Sequence, residues 1–244
     1  MASSLLAGLS ILIIGDSHMA TPNYLIGGLH DDLLRKGANV HSIGACGASA
    51  ADWLVTKKVD CGAVQDNNGK LVLKGSGATT TPIKELIAQQ KPDVVVLVIG
   101  DTMASYDKPA FPKAWAWQSV TNLTKAIAAT GTKCVWVGPA WGKVGGKYKK
   151  NDQRTQFMSQ FLAANVAPCT YVDSLKMSKP GQWVTTDGQH FTAQGNLTRH
   201  ANIATNRDAG VGRHQRRGHG DAGRRAILRR GAFRNVDVDV GLLE

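Results

Sequence analysis

Short apolar runs recur along the chain at residues 11–14, 40–43, 94–99, 134–137 and 170–172, with polar and amphipathic segments between them. Runs rich in β-branched residues and apolar at consecutive positions match strands buried on both faces, as in a parallel sheet covered by helices. The spacing predicts helices in between. Thr21 is placed to cap a helix with Pro22 in its first turn, and Leu25, Leu29 and Leu33 then repeat at helical spacing as far as Gly37. Further helices are predicted over 82–90, 118–129 and 152–164. Around Asn68-Gly69, apolar residues flank a turn dipeptide, which predicts a small β-hairpin insertion near residues 63–74. Strands alternating with helices define an α/β fold, a three-layer α/β/α arrangement with a central parallel sheet. No internal repeat is visible.

The chain has 244 residues, enough for one good-sized domain and something extra. Its formal net charge of +11 suggests an anionic partner, but the basic residues change type along the chain. Up to Gly195 they are almost all Lys, with Arg35 and Arg154 as exceptions; beyond it Arg199, Arg207, Arg213, Arg216, Arg217, Arg224, Arg225, Arg229, Arg230 and Arg234 take over. This break predicts a domain over 1–195 and an atypical Arg-rich tail over 196–244. The tail reads as a solvated or poorly ordered segment, or one translated in a shifted frame. No aromatic stacking platform or nucleic-acid motif accompanies the arginines, which argues against a nucleic-acid partner.

No stretch reaches the roughly 18 consecutive apolar residues of a membrane span. The apolar run over 5–14 leads straight into Gly-Asp-Ser-His and is read as the first strand, since its removal as a signal peptide would take that strand away. Met1-Ala2-Ser3 and Leu243-Glu244 look like cloning remnants, so an export signal outside this sequence is compatible with the chain. Cys46, Cys61, Cys134 and Cys169 permit three pairings. Cys46 with Cys61 would tie a loop near the candidate site, and Cys134 with Cys169 would join two predicted strands. Such pairing fits a periplasmic or secreted protein; buried free thiols would fit a cytoplasmic one. The cysteines lack metal-ligand spacing and there is no nucleotide-binding loop, so no cofactor or metal is expected. The sequence carries no signal for an oligomeric state.

Ser17 stands in Gly15-Asp16-Ser17-His18, directly after the first predicted strand, where open parallel sheets hold ligands. A serine hydroxyl needs a base to become a nucleophile. His190 is the best candidate, because Asp187, three residues earlier, can accept its other ring N–H and fix the tautomer. His18 adjoins the nucleophile but is not expected to point the same way; His30 reads as a helix-surface residue and His41 as a strand residue.

On these motifs the chain resembles the SGNH hydrolases, the GDSL esterase/lipase family. Residues 15–18 match the first block, with His18 where Leu or Ser is more usual. Gly44-Ala45-Cys46-Gly47-Ala48-Ser49 looks like the second block, and Asp187-Gly188-Gln189-His190-Phe191-Thr192-Ala193-Gln194-Gly195 looks like the fifth. The resemblance spans roughly residues 9–195 and implies a flavodoxin-like fold. It also implies a serine esterase with Ser17, His190 and Asp187 as catalytic residues, and an oxyanion hole at the Ser17 amide and Gly47. In the third block Gly100-Asp101-Thr102-Met103 replaces the usual Gly-x-Asn-Asp, which leaves Thr102 as a doubtful third oxyanion donor. The family's last helix normally follows the fifth block, whereas Asn196-Leu197-Thr198-Arg199-His200 has poor apolar periodicity. If that helix is absent, apolar surface beside His190 is left uncovered.

For substrate, Asp16, Trp141 and Lys143 are the candidate contacts. Trp115, Trp117, Trp141 and Trp183 fall in predicted loops or element ends, where an indole can stack on a sugar, although large aromatics more often pack. Lys143, Lys147, Lys149 and Lys150 crowd the Gly-rich loop after Trp141, either as a solvated loop or as an attractor for acidic glycan. A small acyl ester or an acetylated glycan is the expected partner, with removal of O-acetyl groups from a carbohydrate as the reaction. The same site could serve an O-acetyltransferase, a lipase or thioesterase, or a non-catalytic glycan-binding relative.

Overall fold

The computed structural model describes residues 6–22, 24–192 and Ile203. Seven strands form one sheet: β1 (Ser10–Gly15), β2 (Asn39–Ala45), β3 (Gly62–Asp66), β4 (Val72–Lys74), β5 (Val94–Val98), β6 (Lys133–Val137) and β7 (Thr170–Val172). Their order across the sheet is β4-β3-β2-β1-β5-β6-β7. From β2 to β7 every neighbouring pair is parallel, so β1 is central and its carboxyl end opens onto one edge. The predicted hairpin is present as β3 and β4 and extends the sheet: β3 pairs antiparallel with β2, and β4 antiparallel with β3.

Helices α1 (Leu25–Arg35), α2 (Ile83–Gln90), α3 (Lys113–Ala128) and α4 (Asp152–Asn165) supply the outer layers. Alternate residues of the strands feed two cores. Leu12, Ile14, Val95 and Leu97 pack with residues of α2, α3 and α4 on one face. Ile11, Ile13, Val94 and Val96 pack with Leu25, Leu29 and Leu33 of α1 on the other, joined by Ile203. β5 is thus apolar throughout and β1 apolar after Ser10, because both faces of these central strands are covered. The Arg-rich tail and the expected gap beside His190 fall outside the described residues, apart from Ile203.

Three predicted details differ. α1 starts at Leu25 rather than at Thr21, because a 3₁₀ turn at Ser17–Met19 comes first and Tyr24, in extended conformation, takes the cap position. α3 starts at Lys113, so Trp115 and Trp117 lie on a helix and not in a loop. There the hydroxyls of Ser119 and Thr121 fold back onto the Trp115 and Trp117 carbonyls. His30 is wholly buried rather than on the helix surface. It joins α1 to the sheet, with Nδ1 2.8 Å from Ser42 Oγ and Nε2 2.8 Å from the Asn67 carbonyl. His41 does lie on a strand, in β2.

Two disulfides close the loops that the sequence allowed, Cys46–Cys61 beside the end of β2 and Cys134–Cys169 between β6 and the start of β7. Such bonds persist in oxidising compartments, which fits an extracytoplasmic location. Among the described residues no helix is long and apolar enough to cross a membrane.

Candidate active site

β1 ends at Gly15, and the chain turns at once. The Asp16 carboxylate accepts the His18 amide at 3.0 Å, and the Asp16 carbonyl accepts the Met19 amide at 2.9 Å. This capped turn lifts Ser17 to the carboxyl edge of the sheet. It lies flat against β2 because Gly44 has no side chain: a Cβ there would fall on the Met19 carbonyl. Asp16 is itself buried, so its carboxylate works as a cap for the turn.

Ser17 Oγ lies 2.7 Å from His190 Nε2, although the two residues are 173 positions apart. On the other side of the ring, His190 Nδ1 lies 2.7 Å from Asp187 Oδ2. The carboxylate can only accept, so Nδ1 carries the proton and Nε2 offers its lone pair to the serine hydroxyl. Asp187 Oδ1 also accepts the amides of Gln189 at 3.0 Å and His190 at 2.8 Å. Partial burial pushes the Asp187 carboxyl up, but the His190 amide, the imidazole and the Gln189 amide outweigh it, and the pKa lies below the ordinary carboxylate value. The arrangement can draw a proton from Ser17 and hold the resulting imidazolium beside an ionised carboxylate.

Aromatic rings enclose the imidazole. Tyr24 stacks on it at 5.2 Å and 7°, and Tyr148 meets it edge-on at 5.3 Å. The His18 ring lies 5.2 Å away and stacks on Phe191. Burial raises the Tyr24 phenol above its ordinary pKa; a hydrogen bond with Thr186 opposes this, and the nearby Asp187 and Tyr148 add to it. Tyr24 is therefore a neutral ring at physiological pH.

The Ser17 and Gly47 amides have no acceptor among the described residues, and Gly47 takes a φ of +70° in the loop after β2. Both are candidates to face a developing oxyanion. Thr102 is committed elsewhere, since its hydroxyl donates to the Ala48 carbonyl at 2.9 Å.

The third-block substitution has another consequence. Asp101 is buried and gathers three donors: Lys150 Nζ at 2.6 Å, Tyr106 Oη at 2.6 Å and His18 Nε2 at 3.1 Å. Burial pushes the Asp101 carboxyl up, but Lys150 and then His18 overcome it and hold the pKa far below the carboxylate range. Lys150 is thus an internal ion-pair partner, which corrects the expectation that the whole lysine run is solvated; Lys143, Lys147 and Lys149 are exposed. His18 points at Asp101, away from the Ser17 hydroxyl. Trp141 is half-buried with its indole N–H donated to the Leu175 carbonyl at 2.9 Å, and Trp183 is buried edge-on against Phe191. These two indoles pack the frame of the site. Lys143 approaches it through its amide, which donates to Gly188 O at 3.0 Å.

Sequence reasoning missed Asp101, Lys150, Tyr24 and Tyr148. Asp101 had a signal, a carboxylate at the exit of an all-apolar strand; the others had none that distinguishes them from surface residues. Among the described residues no cluster of His, Cys, Asp and Glu could hold a metal.

Fold and block order agree: the chain has the fold of the SGNH hydrolases (GDSL esterases and lipases), and it belongs to the same family as protein BcsX. Over 197 residues it is 42% identical to protein BcsX of Komagataeibacter xylinus, covering 79% of this chain and 74% of that protein. A GDSL-like lipase from Bacteroides thetaiotaomicron shares the fold with a TM-score of 0.53 at 15% identity, over 80% of this chain and 85% of that one. A catalytic mutant of an acetylxylan esterase from Geobacillus stearothermophilus does so with a TM-score of 0.50 at 17% identity, over 84% and 95% of the chains. No family profile matches the sequence.

Proposed function

We propose that the chain is a serine esterase that removes O-acetyl groups from a carbohydrate. The observation that carries this reading is the unbroken series from Ser17 Oγ through the His190 ring to Asp187, with both links at 2.7 Å. In the reaction Ser17 Oγ bonds to the ester carbonyl carbon while His190 Nε2 takes its proton. The carbonyl electrons move to the oxygen, facing the amides of Ser17 and Gly47. As the tetrahedral adduct collapses, the bond to the sugar oxygen breaks and His190 returns the proton to it. Water then repeats the sequence on the acyl-serine, releasing acetate. Asp187 holds the ring in the tautomer that both halves need.

The choice of a glycan acetyl ester rests on two further supports. The exposed Tyr148, with Lys147 Nζ 5.4 Å from its ring centre, borders the imidazole. An aromatic face beside a cation suits a sugar ring, including an acidic one. The second support is that an acetylxylan esterase has the same fold.

Labelling with a fluorophosphonate probe tests the nucleophile: the parent should label and Ser17→Ala should not. A series of nitrophenyl esters tests the acyl group, with acetate expected as the best substrate. Acetate release from acetylated xylan or another acetylated glycan then tests the leaving group. A parent chain that resists the probe overturns the esterase reading; a preference for long acyl chains overturns the acetyl assignment.

A further inference from the structure

Asp101 and Lys150 form a buried ion pair, with side chains 1% and 2% exposed. A buried pair gives little net stability over apolar residues of the same volume, because both charges lose their water. Its placement relative to the site is more informative. Asp101 Oδ2 receives His18 Nε2 at 3.1 Å, and His18 directly follows Ser17. Lys150 ends a loop that begins at Gly142 and is closed by the Gly145 amide on the Lys150 carbonyl at 2.7 Å. That loop grips the turn bearing the base: the Lys143 amide donates to Gly188 O at 3.0 Å and the Lys147 amide to Asp187 O at 3.1 Å. Gly146 has a φ of +69°, and a Cβ there would overlap the Asp187 carbonyl, so loop and turn are in direct contact.

We infer that Asp101 and Lys150 are a positioning pair, clamping the loop that holds the His190 turn to the turn that presents Ser17 and so fixing the Ser17–His190 alignment. Lys150 Nζ, the Tyr106 hydroxyl and His18 Nε2 converge on the one carboxylate, so Asp101 ties the loop end to the Ser17 turn directly. Its kinetic consequence rests on the esterase reading, since only then does alignment set turnover. A misplacement of about 1 Å far from the chemistry can cost on the order of 10²-fold.

The test removes both charges together in the double variant Asp101→Asn, Lys150→Met, which leaves no orphaned ion, and separately loosens the loop with Gly146→Ala at an exposed position. Circular dichroism checks folding, kcat and KM are measured on nitrophenyl acetate, and proton NMR follows the hydrogen-bonded Nδ1–H of His190. Both variants should stay folded and lose on the order of 10²-fold in kcat, with KM changed by less than about twofold. The downfield Nδ1–H resonance should broaden or vanish. A folded variant whose kcat and resonance match the parent overturns the inference. Should the double variant fail to fold, the isosteric single variant Asp101→Asn, which removes the ion pair and keeps the shape, decides by the same kcat and resonance readouts. If the parent hydrolyses no ester, the esterase reading falls, while the resonance comparison still decides whether the pair positions His190.

Discussion

At the scale of single residues, the site depends on where each proton already resides. The Thr102 hydroxyl gives its proton to Ala48 O, so Thr102→Val should reduce stability by about 1 kcal/mol, the usual worth of a hydrogen bond, and leave kcat within a few-fold. Urea unfolding and nitrophenyl acetate kinetics read the two effects; a kcat loss near 10²-fold would mean that the hydroxyl serves the oxyanion after all. Asp187→Asn should behave in the opposite way. It keeps the shape but can donate to Nδ1, favouring the tautomer whose Nε2 is already protonated, and kcat should drop by on the order of 10³–10⁴-fold with the fold intact. The meeting of Ser17 and His190 was readable beforehand, because each sits in a short motif whose type and order match a known pattern. The Asp101–Lys150 pair was not readable, because 49 residues separate the partners and Lys150 stands in a run of lysines with nothing to mark it as the buried one.

At the scale of elements, His30 carries a pH-dependent load. It joins α1 to β2 through Ser42 and to the turn after β3 through the Asn67 carbonyl. Nε2–H must donate to that carbonyl, so Nδ1 accepts from the serine, and the neutral ring satisfies both. Burial lowers the His30 pKa below its ordinary 6.5, with the Asn67 bond and the nearby carboxylates of Asp31 and Asp66 only partly opposing it. A depressed folded-state pKa means that the unfolded chain takes up the proton first. Stability is therefore complete above about pH 6.5 and declines as the pH falls through the folded value. In His30→Gln that decline should be shallower than in the parent between about pH 7 and 5, as urea midpoints across that range would show. Equal slopes would assign the acid sensitivity to other groups. Legibility also differed by element. The strands stood out as continuous apolar runs, whereas the starts of α1 and α3 were misplaced because a 3₁₀ turn and a proline cap, not helical periodicity, set them.

At the scale of the whole molecule, the parallel sheet and its covering helices followed from alternating strand and helix patterns, while the hairpin's place in the sheet did not. A hairpin motif specifies its own turn but not the strand beside which it docks. The disulfides add a constraint on the unfolded chain. With cysteines 15 and 35 residues apart, chain-entropy reasoning gives about 3 and about 4 kcal/mol for the two crosslinks. Reduction with dithiothreitol should accordingly lower the urea midpoint well below that of the oxidised protein, with Cys134→Ala, Cys169→Ala the costlier of the two paired replacements. Unchanged midpoints would show that the sheet alone holds the ends of these loops.

All seven strands are complete by Val172, yet the base and its carboxylate lie on a turn at residues 187–190. A nascent polypeptide that has emerged only as far as β7 carries every strand of the described sheet and its serine, but not the imidazole that lies against that serine. Under the proposed reaction, a chain cut short before that turn has no base and should release no acetate.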